Sequence, residues 1–178
     1  MAATDEQLIE DFHASRKREL LDELVARHLR RTYSLVRQLV CRDAVAEDLT
    51  QEVFLRMVRH LPSFQARAGF ATWLHQITLN VVRSHWASEK RRSRFEPLGE
   101  EPCGHGPSDV TDTNDEIEAG LARLSPPLRS AIVLVYLQQI DVNDAAKIEG
   151  CTASTIYWRL HEARKQLRDH LQQANQSR

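Results

Sequence analysis

One helical stretch carries the side chains that most plainly suggest chemistry. In AEDLTQEVFLRMVRHLPSF, residues 46–64, the apolar residues Leu49, Val53, Phe54, Met57, Val58 and Leu61 cover half of a helical cylinder at about 100° per residue. Leu55 falls on the other half, among Asp48, Gln51, Glu52, Arg56 and Arg59. A single exposed leucine is commonplace. An aliphatic side chain ringed by two carboxylates and an amide, however, has the makeup of a helix-docking surface, with an apolar anchor and a polar rim for specificity. Residue types suited to catalysis are not grouped in this way. The eight histidines, His75 and His85 among them, form no nucleophile–base pair and no metal-spaced cluster. Cys103 and His105, in CGHG, supply at most two nearby ligands where structural zinc takes four, so accidental loop residues are the simpler reading. No catalysis, metal or cofactor is expected.

The basic residues suggest a second kind of chemistry. Net charge is only −1, but its distribution is uneven. Arg27, Arg30, Arg31, Arg37 and Arg42 form one group, Lys90, Arg91, Arg92 and Arg94 a second, and Arg159, Arg164, Lys165 and Arg168 a third. Between Arg94 and Arg123 there is no Lys or Arg, while that interval holds eight acids. This pattern predicts two basic modules joined by an acidic linker. The linker segment EPLGEEPCGHGPSD is rich in Pro, Gly and acid and is expected to be flexible, with no core of its own.

These groups must be positioned by helices, because nearly every apolar segment has helical period. Thr4 and Gln7 have capping-box spacing. Leu21, Leu24, Val25, Leu29, Val36, Leu39 and Val40 recur at steps of three and four, predicting a helix from about Arg18 to Cys41. Asp43 is expected to cap the next helix and Pro62 to end it. After a loop from Ser63 to Gly69, the residues Phe70, Leu74, Ile77, Val81 and His85 mark another helix reaching the Arg91 region. Ser125–Pro126 opens a helix whose AIVLVYL run is expected to be buried on every side. A short helix over 143–149 ends at Gly150, and Thr152 or Ser154 caps a last helix to about Gln173. In that helix Ile156, Leu160, Ala163, Leu167 and Leu171 share one face, while Tyr157, Trp158, His161, Arg164, Lys165 and Arg168 share the other. Two helices around a glycine-bearing turn, the second basic outside, form a helix-turn-helix pattern. The expected fold is all-α: an N-terminal helical bundle over 1–92, a flexible acidic linker over 93–114, and a C-terminal helix-turn-helix domain over 115–178. No apolar run reaches the ~20 residues that a bilayer span needs. The N-terminal MAATDEQLIEDF lacks the layout of a signal peptide, so a cytoplasmic location without membrane insertion is expected.

The D-L-T-Q-E-V-F block, the FATWLHQITLNVVRSH run that follows, and LSPPLRSAIVLVYLQQI with AAKIEGCTASTIYWRLHEARKQLRDHL resemble bacterial RNA polymerase sigma factors of the extracytoplasmic-function group. The resemblance spans nearly all of the chain except the linker and the extreme ends. It implies a region 2-like module that binds core polymerase, recognises the downstream promoter element and melts it, and a region 4-like module that recognises the upstream element. Asp48, Gln51, Glu52 and Leu55 match the surface that grips the coiled coil of the polymerase's largest subunit; the flap is a second implied polymerase contact. A flipped non-template base is implied to enter a pocket near Phe64, Ile77 and Asn80. Gln65 and Arg67 stand in the adjoining loop, and Trp73 either stacks on DNA or belongs to the core. Arg83, Lys90, Arg91 and Arg92 suit phosphate neutralisation.

On the last helix, Ser154, Thr155, Tyr157, Trp158, Arg159, His161, Arg164 and Lys165 are implied contacts to the upstream element. Here the sequence departs from its relatives. Tyr157 and Trp158 replace a basic or small pair, and Glu162 stands where a basic residue is common. Aromatic rings can meet thymine methyls and glutamate can accept from cytosine, so an unusual upstream preference is implied unless Trp158 packs on the first module or on a partner. The resemblance further implies an anti-sigma factor and a stress, envelope or metal response. The alternative reading is a stand-alone helix-turn-helix regulator, which would need a dimerisation helix and would bind duplex DNA tightly without polymerase.

Overall fold

The computed structural model describes residues 3–66, 69–95 and 112–176, and every regular element in them is helical. Thr4 opens α1 (Asp5–Ser15) with the predicted capping box: its hydroxyl accepts from the Gln7 backbone N–H at 3.2 Å, and the Gln7 side chain accepts from the Thr4 N–H at 2.8 Å. Asp5 then pins α1 to α2 (Arg18–Val40) through Arg27 at 3.2 Å and His28 at 2.7 Å. Cys41 ends α2 in the left-handed conformation, with φ 55°. The chain reverses so tightly there that Arg42 becomes the N-cap of α3 (Asp43–His60). Asp43 is therefore inside the helix rather than capping it, and its carboxylate accepts from Arg37 Nε at 2.5 Å. Pro62 lies in a 3-10 turn, Leu61–Ser63, that closes α3 before α4 (Phe70–Phe95).

The second unit holds α5 (Asp112–Arg123), α6 (Pro126–Ile132), α7 (Val142–Glu149) and α8 (Ala153–Gln176). Ser125 is the N-cap of α6 and Pro126 its first residue, as the sequence predicts. The AIVLVYL segment departs from expectation. It is buried through Leu134, but Tyr136 and Leu137 are exposed. Val133–Leu137 forms a π turn, in which the Gln138 N–H reaches back to the Val133 carbonyl at 2.9 Å. The wider turn carries Tyr136 and Leu137 to solvent and buries Gln138, whose amide donates to the Gln38 side chain at 2.9 Å. Between α7 and α8, Gly150 takes φ 67°, a conformation strained for other residues. Of the two proposed caps for α8, Thr152 is the one used, accepting from the Thr155 N–H at 3.2 Å.

Helix α2 is long enough to serve two cores. Near its start Leu24 packs with Leu8, Ile9, Val53, Phe54, Met57, Leu61, Phe70, Leu74 and Val81. Near its end Leu35, Val36, Leu39 and Val40, with Leu79 and Val82 of α4, join Leu128, Ile132, Ile148, Ile156 and Leu160 of the second unit. The two units thus share one apolar seam. The expected linker falls largely outside the described residues, as do Cys103 and His105.

Arg129 locks this seam. It is buried, and its guanidinium donates to the Leu39 carbonyl at 2.7 Å, to that of Ala122 at 2.7 Å and to that of Leu124 at 3.2 Å. Leu39 and Ala122 lie in the last turns of α2 and α5, where carbonyls lack partners within the helix and where the helix dipole favours a cation. Replacing Arg129 with methionine strands these acceptors. The expected cost is on the order of 3 kcal/mol in urea unfolding of the purified chain. Arg129→Lys is expected to recover only part of it, because an ammonium cannot span three acceptors in the plane of a guanidinium.

Candidate docking and nucleic-acid interfaces

The two faces of α3 separate as its period predicts. Val53, Phe54 and Met57 are buried, whereas Leu55 is 53% exposed and is flanked by exposed Asp48 and Gln51. Glu52 is half-buried and accepts from Arg56 Nε at 2.6 Å, which holds its carboxylate in place beside Leu55. One core assignment fails. Val58, at the rim of the apolar arc, is 39% exposed, and no helix among the described residues covers it fully. Leu55 and Val58, one turn apart, therefore form a small aliphatic patch. The sequence count missed its second member because position on a helical wheel does not reveal how far a neighbouring helix reaches.

The loop after α3 leads into an aromatic group. The Phe64 ring stands edge-on to Phe70, with centroids 5.8 Å apart, and lies 5.0 Å from Trp73. Trp73 is half-buried and 5.6 Å from Phe70, so its ring is the outer edge of the core. Ile77 packs partly buried against the same cluster, and Asn80 lies exposed about one turn further along α4. Phe64, Trp73 and Ile77 thus gather at one end of the bundle, with Gln65 exposed next to Phe64. Arg67 lies outside the described residues. Lys90, Arg91 and Arg92 are exposed near the end of α4.

On α8, Ile156, Leu160 and Ala163 are buried, and Tyr157 and Trp158 are 62% and 63% exposed. Trp158 therefore does not pack on the first unit. Ser154 and His161 are exposed and Thr155 is half-buried. His161, Arg164 and Lys165 line a shallow cleft with Arg168 and Asp169. Two implied phosphate contacts behave differently. Arg83 and Arg159 both donate to the Glu149 carboxylate, at 2.6 and 2.8 Å, so both are engaged within the protein.

Residues 24–92 match the sigma-70 region 2 family and residues 114–167 the sigma-70 region 4 family. The chain is 35% identical over 131 residues to the extracytoplasmic-function sigma factor SigC of Mycobacterium tuberculosis, covering 68% of each. This chain belongs to the extracytoplasmic-function sigma factors. It is also 33% identical over 161 residues to SigE of Mycolicibacterium smegmatis, covering 84% of this chain but 61% of that relative. Its fold is similar to the sigma factor RpoE of Bartonella quintana, solved in complex with the anti-sigma factor NepR. The TM-score is 0.75 at 25% identity, over 85% of this chain and 96% of that one. Among the described residues of this sigma factor, no helix is long and apolar enough to cross a membrane, and no group of three or more His, Cys, Asp or Glu could hold a metal ion.

His75 is a feature of this sigma factor that sequence reasoning did not place. It is buried on α4, and burial, with the nearby Arg31 cation adding to it, pushes its pKa down from 6.5 to about 4. The folded chain therefore holds His75 neutral at a pH where the unfolded chain protonates it. Stability should be full above pH 6.5 and fall as pH drops from 6.5 toward 4, by about 3 kcal/mol in total from this residue. Urea midpoints across that range should decline less steeply for His75→Gln.

Proposed function

We propose that this sigma factor directs core RNA polymerase to its promoters through two separate surfaces, with no catalysis of its own. In this reading α3 docks on the coiled coil of the largest subunit, with Leu55 as the anchor and Asp48, Gln51 and Glu52 as the polar rim. The supporting observation is the exposure of Leu55 on a helix whose other face is core. Phe64, Gln65, Trp73, Ile77 and Asn80, with Arg67 from the adjoining loop sequence, capture the melted downstream element in this reading. A flipped base costs a few kcal/mol of unstacking, repaid by ring contact and by the Asn80 amide, which both donates and accepts. Preferential capture of the single strand shifts the duplex toward the open state.

Helix α8 reads the upstream element as duplex, with Ser154, Thr155, Tyr157, Trp158 and His161 toward the bases and Arg164 and Lys165 toward phosphates. The C-terminal unit would also meet the polymerase flap. The fold shared with a sigma factor solved with an anti-sigma factor supports control by a partner of that kind. A cytoplasmic location and a stress, envelope or metal response complete the reading.

Charge reversal at Asp48 and Glu52 combined with Leu55→Ala should weaken association with core polymerase on the order of a hundredfold while leaving helix content unchanged. Retained association, measured by co-elution and run-off transcription, would sink the docking assignment. Tyr157→Ala and Trp158→Ala should each lower affinity for the upstream duplex roughly tenfold. Fluorescence anisotropy reads this directly, and unchanged binding would remove the aromatic pair from the DNA surface. A stand-alone regulator would instead bind its duplex tightly without polymerase.

A further inference from the structure

Glu149, the last residue of α7, sits where the two units meet. Its side chain is 2% exposed. Oε2 accepts from Arg83 Nη2 of α4 at 2.6 Å and from Arg159 Nη1 of α8 at 2.8 Å, and Arg83 Nη2 also lies 3.3 Å from the Glu149 carbonyl. Both arginines are residues that the family resemblance turns toward promoter DNA. On α4 the residues Gln76, Asn80, Arg83, Ala87 and Lys90 follow the i, i+4, i+7, i+11, i+14 progression and share one face. Gln76 is also engaged by α7, donating to the Lys147 carbonyl at 3.4 Å. Helix α7 therefore lies across the stripe of α4 that carries three of the implied DNA contacts.

We propose that Glu149 is an interdomain latch that keeps this sigma factor closed against DNA until the two units part. The inference rests on the reading of α4 and α8 as DNA surfaces. In the closed form Glu149 takes the place of a phosphate, offering a buried carboxylate to two guanidiniums that DNA would otherwise claim. The units close around it by the shared apolar seam and by polar ties at the far end, where Arg31 donates to the Gln138 carbonyl at 2.8 Å. The latch is built to release. Glu149 Oε1 is buried with no hydrogen-bond partner, so the closed state carries an unsatisfied acceptor that opening would hydrate. Arg83 is 39% exposed and can swing outward without crossing the core. A DNA phosphate that engages Arg83 or Arg159 removes a partner from Glu149 and shifts the population toward the open form.

The test uses the full chain without polymerase. Glu149→Gln removes the latch charge. Asp144→Asn makes the same charge change on the same helix but away from the seam, where Asp144 pairs with Lys147. Arg31→Ala loosens the far end of the seam and removes a cation, so bulk charge predicts weaker DNA binding and unlatching predicts tighter binding. Small-angle scattering should show a larger radius of gyration for E149Q and R31A than for wild type and D144N. Affinity for a short random-sequence duplex at low salt should rise roughly three- to tenfold in E149Q and R31A, and less in D144N. Should E149Q fail to fold, R31A carries both readouts. Unchanged dimensions in the folded variants overturn the proposal, as does expansion without a gain in affinity. Wild-type run-off transcription with core polymerase tests the underlying reading separately, since its loss would strike the sigma-factor surfaces rather than the latch.

Discussion

Neither half of this chain covers its own apolar surface, and that shortage organises the molecule. Leu35, Val36, Leu39 and Val40 of α2, together with Leu79 and Val82 of α4, are covered partly by Val45, Ala46 and Leu49 of α3 and Trp86 of α4 and partly by the second unit. Leu128, Ile132 and Ile148 pack in the same cluster, with Ile156, Leu160 and Ala163 of α8 as well as across the seam. Each fully buried aliphatic side chain contributes about 1.5–3 kcal/mol, so placing these rows against each other is the largest favourable term available to the fold. Other contacts between the units depend on that packing because it excludes water around them.

Excluding water raises the stakes for the polar groups trapped at the seam. Arg129 is held by three carbonyls, two of them in the last turns of helices, although its buried Nε has no hydrogen-bond partner. Glu149 is less well matched: one oxygen serves two arginines and the other serves none. The first arrangement makes the seam durable. The second leaves a weak point at the edge, beside the surfaces that the functional reading assigns to DNA. A protein whose two units must reach separate promoter elements gains from a seam that is strong in the middle and yielding at one rim.

The docking face of α3 is independent of this seam. Its exposed side holds Asp48, Gln51 and Leu55 at fixed helical spacing, on a helix anchored through Val53, Phe54 and Met57. In this reading the chain can present its polymerase surface while its DNA surfaces are engaged with each other. That ordering suits a factor that meets polymerase before promoter.

Helix periodicity, the Thr4 capping box, the Pro62 and Gly150 punctuation and the exposure of Leu55 were legible in the residues, because each depends on interactions within a few positions of chain. So was the division of α8 into a buried face and a face bearing Tyr157 and Trp158. The assignment of Phe64, Ile77 and Asn80 to a base pocket came from family resemblance, and no local rule would have made it. Tertiary structure decided what local rules do not reach. Asp43 pairs with Arg37 instead of capping, Val58 and Tyr136 emerge into water, and His75 becomes buried and neutral. Arg83 and Arg159, 76 residues apart in sequence, meet on one carboxylate. For Asp43 and Tyr136 a local backbone departure decides, a tight reversal and a π turn; for His75, Arg83 and Arg159 the outcome turns on what a distant helix brings, which leaves no periodic trace in the sequence.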